Sequence, residues 1–186
     1  MIKRTGILFA VALVFCVTQA RASGGQFTLY AGYLNPGELS LQNVQAGLSL
    51  RDTGIYGARA EFDFMKVLGI EQNFGFSSRL FNSSLFPAQA SEVRGFLYSS
   101  NLVLNLPIGR CVPYATAGVG LIKPWGSSFA SFDATFAGNY GGGIKLNKLA
   151  GPIGLRFDVR GWRTADIMNQ GGVNLFETSG GLTFSW

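Results

Sequence analysis

The sequence predicts an all-β protein: an eight-stranded antiparallel up-and-down transmembrane β-barrel that follows a cleaved N-terminal signal peptide. Three observations predict it: an export-like N-terminus, a series of short segments that alternate apolar and polar residues, and a last strand that ends at Trp186. Successive side chains of a strand point to opposite faces, so such segments offer one face to lipid and the other to water. In a bilayer this requires every backbone group to be paired, which only a closed barrel achieves.

The N-terminus has the order of a secretory signal peptide. Lys3 and Arg4 precede an apolar run over residues 6–17, and small residues lead to Ala22, where we predict cleavage. The predicted domains are therefore a signal peptide, 1–22, and an outer-membrane β-barrel domain, 23–186. Cleavage takes three basic residues away and lowers the net charge from +5 to about +2, so no nucleic-acid partner is expected. It also leaves Cys111 as a lone cysteine, which excludes an internal disulfide.

Strands one to four are predicted over 26–34, 55–64, 68–80 and 93–106. The second is the clearest, because aromatic and alanine residues alternate with Arg59, Glu61 and Asp63. Gln72 is a misfit, since it falls on the outer face of strand three. The residues predicted to face lipid are Phe27, Leu29, Ala31 and Tyr33; Tyr56, Ala58, Ala60, Phe62 and Phe64; Ile70, Phe74 and Phe76; and Phe96, Tyr98, Leu102, Leu104 and Leu106.

Strands five to eight are predicted over 111–122, 132–146, 153–162 and 176–186. In strand five either face suits the outside, and we favour the aliphatic set that includes Ala115 and Val119 over the set that includes Tyr114. Strand seven alternates most sharply, with Arg156, Asp158 and Arg160 on its inner face. The other predicted lipid-facing residues are Phe136, Tyr140, Ile144 and Leu146; Ile153, Leu155, Phe157 and Val159; and Phe176, Leu182, Phe184 and Trp186.

The connections between these strands predict the orientation of the barrel. Short ones at 65–67, 107–110 and 147–152 alternate with longer ones at 35–54, 81–92, 123–131 and 163–175. Outer-membrane barrels place short turns in the periplasm and long loops outside. This orientation puts one aromatic girdle at the inner interface, around Phe27 and Phe184, and another at the outer interface, around Tyr33 and Phe96.

Charged residues on the inner faces form the candidate site. An eight-stranded barrel is just wide enough for side chains to fill, and a charge in so narrow a space needs a partner. We therefore expect these groups to pair with one another and with Asn73, Asn101 and Asn139. The predicted lumen network has five charges of each sign: Arg59, Arg79, Lys145, Arg156 and Arg160 with Glu61, Asp63, Glu71, Asp158 and Glu177.

The last strand carries a recognisable ending. Ser179, Gly181, Phe184 and Trp186 match a polar-x-Gly-x-x-aromatic-x-aromatic pattern that resembles the C-terminal assembly signal of bacterial outer-membrane proteins. The whole chain resembles the OmpA-like and OmpX-like small outer-membrane barrels. The resemblance implies delivery to the barrel-assembly machinery, location in the cell outer membrane of a Gram-negative bacterium, a sealed ion-paired lumen and a monomeric state.

The sequence gives catalysis little support, because the chain contains no histidine. The enzymes among such barrels resemble one another in using a catalytic histidine, so we expect no enzymatic activity, and also no metal and no cofactor. The favoured function is a structural or surface-interaction protein that acts through its exterior loops, with a narrow porin or an OmpW-like carrier for small hydrophobic solutes as the alternative. The expected partners are outer-membrane lipid and lipopolysaccharide, whose phosphates Arg51, Lys123 and Arg163 would meet at the outer rim.

Overall fold

A computed structural model describes residues 24–36, 53–81, 93–125, 134–164 and 174–186 of the chain. They form a closed barrel of eight strands in sequential order, with every neighbouring pair antiparallel. The predicted fold class is confirmed. No helix in these segments is long and apolar enough to cross a membrane. The strands are β1 (Gly24–Pro36), β2 (Thr53–Asp63), β3 (Leu68–Phe81), β4 (Val93–Asn105), β5 (Cys111–Trp125), β6 (Thr135–Ala150), β7 (Ile153–Thr164) and β8 (Asn174–Ser185).

The register of the strand pairs fixes the tilt of the barrel. A path that starts at Pro113 on β5 and moves from each residue to its paired residue on the next strand passes through β6, β7 and β8 and then β1 to β4. It returns to β5 at Lys123, ten residues further along the strand. Closure with such an offset tilts the strands by about 40° from the barrel axis. The same path gives the relative height of any residue on any strand.

The predicted inward and outward faces are confirmed along the described strands. On β7 the alternation runs from exposed Ile153 to buried Thr164 without interruption. On β5 the aliphatic set faces out, with Val119 70% exposed, while Tyr114 on the other face is only 5% exposed.

The strand ends differ from the prediction, chiefly at the exterior side. β5 continues to Trp125 and β7 to Thr164, so the starts predicted for the loops at 123–131 and 163–175 are two to three residues too early. β1 likewise runs to Pro36, and β2 starts at Thr53. Backbone pairing continues beyond the lipid-facing belt, where a strand no longer needs an apolar face, so the alternation ends before the strand does. Residues 1–23, 37–52, 82–92, 126–133 and 165–173, which include the predicted signal peptide and Arg51, lie outside the described residues.

The three turns at the end of the barrel that the sequence predicts to be periplasmic are short; this end is called periplasmic below, and the other end exterior. Two of them contain a glycine with positive φ, Gly109 (65°) and Gly151 (62°), which a residue with a side chain adopts less readily. β6 is longer than expected, because it runs on to Ala150 through an irregularity in its pairing with β7 after Leu146. The turn predicted at 147–152 therefore shrinks to Gly151 and Pro152.

The misfit at Gln72 has a local explanation. It faces outward, but it is only 9% exposed, and Ser100 lies directly opposite on β4. The Gln72 amide donates to Ser100 Oγ at 3.0 Å, and Tyr98 Oη donates to Gln72 Oε1 at 2.7 Å. Cross-strand hydrogen bonds thus satisfy a polar side chain on the lipid-facing surface, where lipid offers it no partner.

Candidate functional site

The lumen is filled by an ionic network centred on β7. Arg156 lies between three carboxylates, with Nη2 2.5 Å from Glu71 Oε2, Nη1 3.2 Å from Glu61 Oε2 and Nε 3.2 Å from Asp158 Oδ2. Arg160, one layer nearer the exterior, pairs with Glu71 at 2.8 Å and with Asp158 at 3.0 Å. Glu71 and Asp158 each contact both arginines, so the charges form one connected group.

Arg59 extends this group towards β8. Its guanidinium lies 2.6 Å from Asp158 Oδ2 and 2.5 Å from Glu177 Oε1. It also donates from Nε to Asn73 Oδ1 at 3.1 Å and from Nη2 to Ser179 Oγ at 3.1 Å. Four acceptors on three strands therefore hold a side chain that has no exposed surface, which compensates the cost of removing its charge from water.

Lys145 closes the network on the periplasmic side. Its ammonium contacts both oxygens of Glu61, at 2.5 and 2.6 Å, and Asn105 Oδ1 at 2.8 Å. The Asn105 amide in turn donates to Glu61 at 2.9 Å and to Asp63 at 3.1 Å. Asp63 is the carboxylate of the predicted set that no described base approaches within salt-bridge distance.

Two tyrosines support the guanidinium groups from within the lumen. The Arg59 guanidinium lies 3.8 Å from the centre of the Tyr30 ring, and that of Arg156 lies 4.5 Å from the centre of the Tyr114 ring. Tyr114 also donates a hydrogen bond from Oη to Asp158. Alternation places both rings on inner faces, but stacking on a cation depends on neighbours from other strands, so the sequence alone does not predict the stacking.

An apolar layer lies above the network, and the alternation of residues in the sequence did not predict it. The layer consists of inward-facing side chains near the exterior ends of seven strands. Leu97 and Ile122 face each other across β4 and β5, and Trp162 and Leu175 across β7 and β8. By the register of the barrel, its members lie within about two residues of one another in height. This apolar ring comprises Leu34, Ile55, Leu97, Ile122, Ala137, Trp162 and Leu175, each at most 6% exposed.

One hydrogen bond joins the apolar ring to the network. The Trp162 indole N–H donates to Glu177 Oε2 at 3.0 Å, while the other oxygen of Glu177 contacts Arg59. A tryptophan is thereby placed with its apolar body in the ring and its polar atom on the charged layer below. The available sequence signal was the position of Trp162 two residues after Arg160, on the same face of strand seven.

Nine of the ten residues predicted for the lumen have described side chains, and all nine face inward. Arg79 lies on β3, but its side chain falls outside the described set. The predicted amide partners are also inside: Asn101 donates to Glu71 at 2.9 Å, and Asn139 donates to Asn101 at 2.7 Å. Within the described segments, no group of three or more histidine, cysteine or carboxylate side chains is arranged to hold a metal ion.

The residues of the predicted assembly signal have contacts within the barrel as well. Ser179 donates to Glu177 at 3.0 Å, inside the lumen. At Gly181, a methyl group would collide with the backbone of Leu29 on β1. Phe184 and Trp186 face outward near the periplasmic end, with ring centres 6.4 Å apart. The pattern is thus compatible with both strand closure and an aromatic girdle.

Comparison with known proteins agrees with this architecture. The family model described as "outer membrane protein beta-barrel domain" matches residues 7–183. The chain belongs to that family. Members of this outer-membrane family are located in the outer membrane, and the same location follows for this chain. The comparison with curated proteins found no match.

Solved structures show the same fold at low sequence identity. Neisserial surface protein A aligns with 86% of this chain and 96% of its own, at 11% identity and a TM-score of 0.66. The outer membrane protein AlkL aligns over 87% and 90%, at 17% identity and a TM-score of 0.55. The N-terminal β-barrel domain of Pseudomonas aeruginosa OprF aligns over 88% and 98%, at 13% identity and a TM-score of 0.53. At these identities the likeness concerns the fold alone.

Proposed function

We propose that this chain is a non-enzymatic outer-membrane barrel with a sealed lumen, which acts in envelope structure or surface interaction through its exterior loops. The observation that carries the proposal is the presence of two different barriers in series across one narrow barrel. The ionic network fills the middle and periplasmic part of the lumen, and the apolar ring closes it nearer the exterior.

The network supports sealing because its charges are engaged with one another. Arg59, Arg156 and Arg160 are fully buried and each contacts at least two carboxylates. An ion that passed this layer would have to separate such pairs in a space that excludes water, where each unpaired charge is costly. The pairs therefore block the route instead of lining it.

The apolar ring supports sealing by a different physical effect. A hydrophobic constriction excludes water, and without water a small ion cannot keep its hydration shell. Leu97 has no exposed surface and Trp162 is 1% exposed, so the ring is packed rather than open. The two layers oppose ion passage independently, and opening one leaves the other in place.

The non-enzymatic part of the proposal rests on the same contacts. Glu71 accepts from two arginines, Asp158 accepts from three, and Glu61 accepts from a lysine and an arginine. A carboxylate held in this way is a poor general base, and the chain has no histidine to take that role. The exterior loops are then the parts of the chain through which the protein would meet partners.

One observation favours the alternative function, a narrow porin or carrier. In the upper part of the network, just below the apolar ring, Asn73 Nδ2, Ser99 Oγ, Asn139 Oδ1 and Arg160 Nε are buried without a hydrogen-bond partner among the described residues. Buried polar atoms are normally satisfied, if not by protein then by water. A wet layer at this level would shorten the dry part of the lumen to the apolar ring itself.

Transport into liposomes separates the two functions. Mature chain (residues 23–186) is refolded into lipid vesicles, and entry of a small sugar and of a small apolar fluorophore is compared with protein-free vesicles and with vesicles that contain a wide porin. We expect both solutes to enter at the protein-free rate. Faster sugar entry would indicate a porin, and faster entry of the fluorophore alone would indicate the carrier.

A further inference from the structure

Among the described residues, the outward-facing surface of the barrel carries basic side chains but no acidic ones. All five carboxylates with described side chains, those of Glu61, Asp63, Glu71, Asp158 and Glu177, are on inner faces. Near the exterior ends of the described strands, the charged residues that face outward are Arg94, Lys123 and Arg163, all basic. None of these three takes part in a salt bridge within the described part of the chain.

The three outward cations lie at one level. Arg94 pairs with Trp125, Lys123 with Phe96, and Arg163 with Gly138 and Asn174, all near the exterior ends of their strands. When the ten-residue offset is distributed evenly over the eight strands, the heights of the three cations along the barrel axis agree within roughly 6 Å. They occupy β4, β5 and β7, which form one side of the barrel. On the other side, the outward residues near this level on β8, β1 and β2 are Asn174, Asn35 and Gly54, all uncharged.

An apolar groove descends from this basic arc towards the middle of the membrane. It has a volume of about 610 Å³ and lies on the outer surface of β5, β6 and β7. Phe136 and Tyr140 flank it, 78% and 63% exposed, and Val119 forms another wall. Gly138 leaves its floor open, because a methyl group there would meet only the Arg163 carbonyl oxygen, at 4.0 Å. Arg163 lies at the upper end of the groove.

From this arrangement we propose that the β4–β7 side binds one lipopolysaccharide molecule of the outer leaflet. Lys123 and Arg163 bind the phosphates of its lipid A, Arg94 extends the basic arc, and one acyl chain lies in the groove over Gly138. Charge complementarity selects the occupant: the described charged side chains of the arc are all basic, the arc stands at the headgroup level of the leaflet that contains phosphorylated glycolipid, and it continues directly into a largely apolar groove. This inference does not depend on whether the lumen is sealed.

The test compares lipid occupancy of the folded barrel in detergent by native mass spectrometry, with diphosphoryl lipid A, its dephosphorylated form and phosphatidylglycerol as probes. The test variant Lys123→Gln/Arg163→Gln removes two charges from the arc. We expect it to lower diphosphoryl lipid A affinity by about fivefold for each charge, and to leave the dephosphorylated form unaffected. The matched control, Arg110→Gln/Lys148→Gln, removes two charges at the periplasmic end of the barrel, one in a turn and one near the end of β6, and should bind lipid A as the wild type does.

A second pair of variants tests the groove. Gly138→Leu fills the groove without entering the lumen and should lower lipid A occupancy. The control, Gly180→Leu, fills a comparable groove on the β7–β8–β1 side and should leave lipid A occupancy unchanged. Gel mobility before and after heating confirms that each variant is folded. Equal losses in the arc variant and the turn control would show an effect of net charge alone and overturn the proposal. Equal binding of phosphatidylglycerol at the arc would overturn the choice of lipopolysaccharide.

Discussion

The charged and apolar layers of the lumen fill the same barrel in opposite ways. The lower layer consists of long side chains such as Arg156 and Glu71, which reach across the lumen to partners on other strands. The upper layer consists of compact apolar side chains such as Leu97 and Ile122, which pack against neighbours at the same level. The charged layer depends on directional pairs that must all be present, while the apolar layer depends on contact area. Removal of one group should therefore affect the two layers differently.

The largest effect is expected in the charged layer, for Arg156→Ala. This change leaves Glu61, Glu71 and Asp158 each with one basic partner fewer inside the lumen. Breaking a buried ion pair from one side costs about 3–5 kcal/mol, because the remaining charge is uncompensated. The free energy of unfolding, measured by urea titration in lipid vesicles, should fall by that amount. Arg110→Ala, an exposed cation in a turn, is the control and should change it by less than about 0.5 kcal/mol. A similar small loss for both variants would contradict the network.

Truncation in the apolar ring should cost somewhat less. Leu97→Ala removes a side chain with no exposed surface and leaves a cavity beside Ile122. Such changes cost about 2–5 kcal/mol, depending on how far the neighbours relax, and this ring lies near the exterior ends of its strands rather than in their middle. We expect a loss near the lower limit in the same urea titration. Leu102→Ala, on the lipid-facing side of the same strand, is the matched control; if it cost as much as Leu97→Ala, the ring would not be a packed layer.

The smallest effect is expected where one hydroxyl group is lost and the ring contact is retained. Tyr114→Phe removes the donor to Asp158 and the oxygen that accepts from Arg156 Nε at 3.1 Å, but it leaves an aromatic face below Arg156. Asp158 still contacts three arginines, so the loss should be about 1–2 kcal/mol. Tyr114→Leu, which also removes the aromatic face, should cost more. Equal losses for the two variants would show that the cation–π contact contributes nothing measurable.

The sequence sufficed to predict the faces of the strands because the side-chain period of a strand is two. Glu61 and Arg156 follow directly from that period, and the polar side of strand five, with Tyr114, follows from its neighbours. The pairing of Glu61 with Lys145 could not be predicted, because it joins residues 84 apart in the chain and depends on the offset of the closed barrel. Alternation indicates which residues enter the lumen but not the level at which they meet.

The apolar ring was missed for a related reason. An inner face is expected to be polar, so Leu34, Leu97 and Trp162 do not stand out on individual strands. They form a layer only when the register brings seven strands to one level. The strand ends were misplaced because Trp125 and Thr164 are paired by backbone hydrogen bonds beyond the belt where lipid imposes a pattern. Gln72 shows the converse case, in which an apparent misfit is satisfied by Ser100 on a neighbouring strand.

The central claim is that two barriers of different kinds close one lumen, and single-channel conductance in a planar bilayer tests it most directly. Wild type, the ring variant Leu97→Ala and the network variant Tyr114→Phe are each refolded as residues 23–186, and a gel-mobility shift confirms folding. We predict that all three are electrically silent, because each variant weakens one layer and leaves the other intact. Discrete, reproducible current steps from the folded wild type would contradict a sealed lumen. Steps from Leu97→Ala alone would show that the apolar ring is the only barrier.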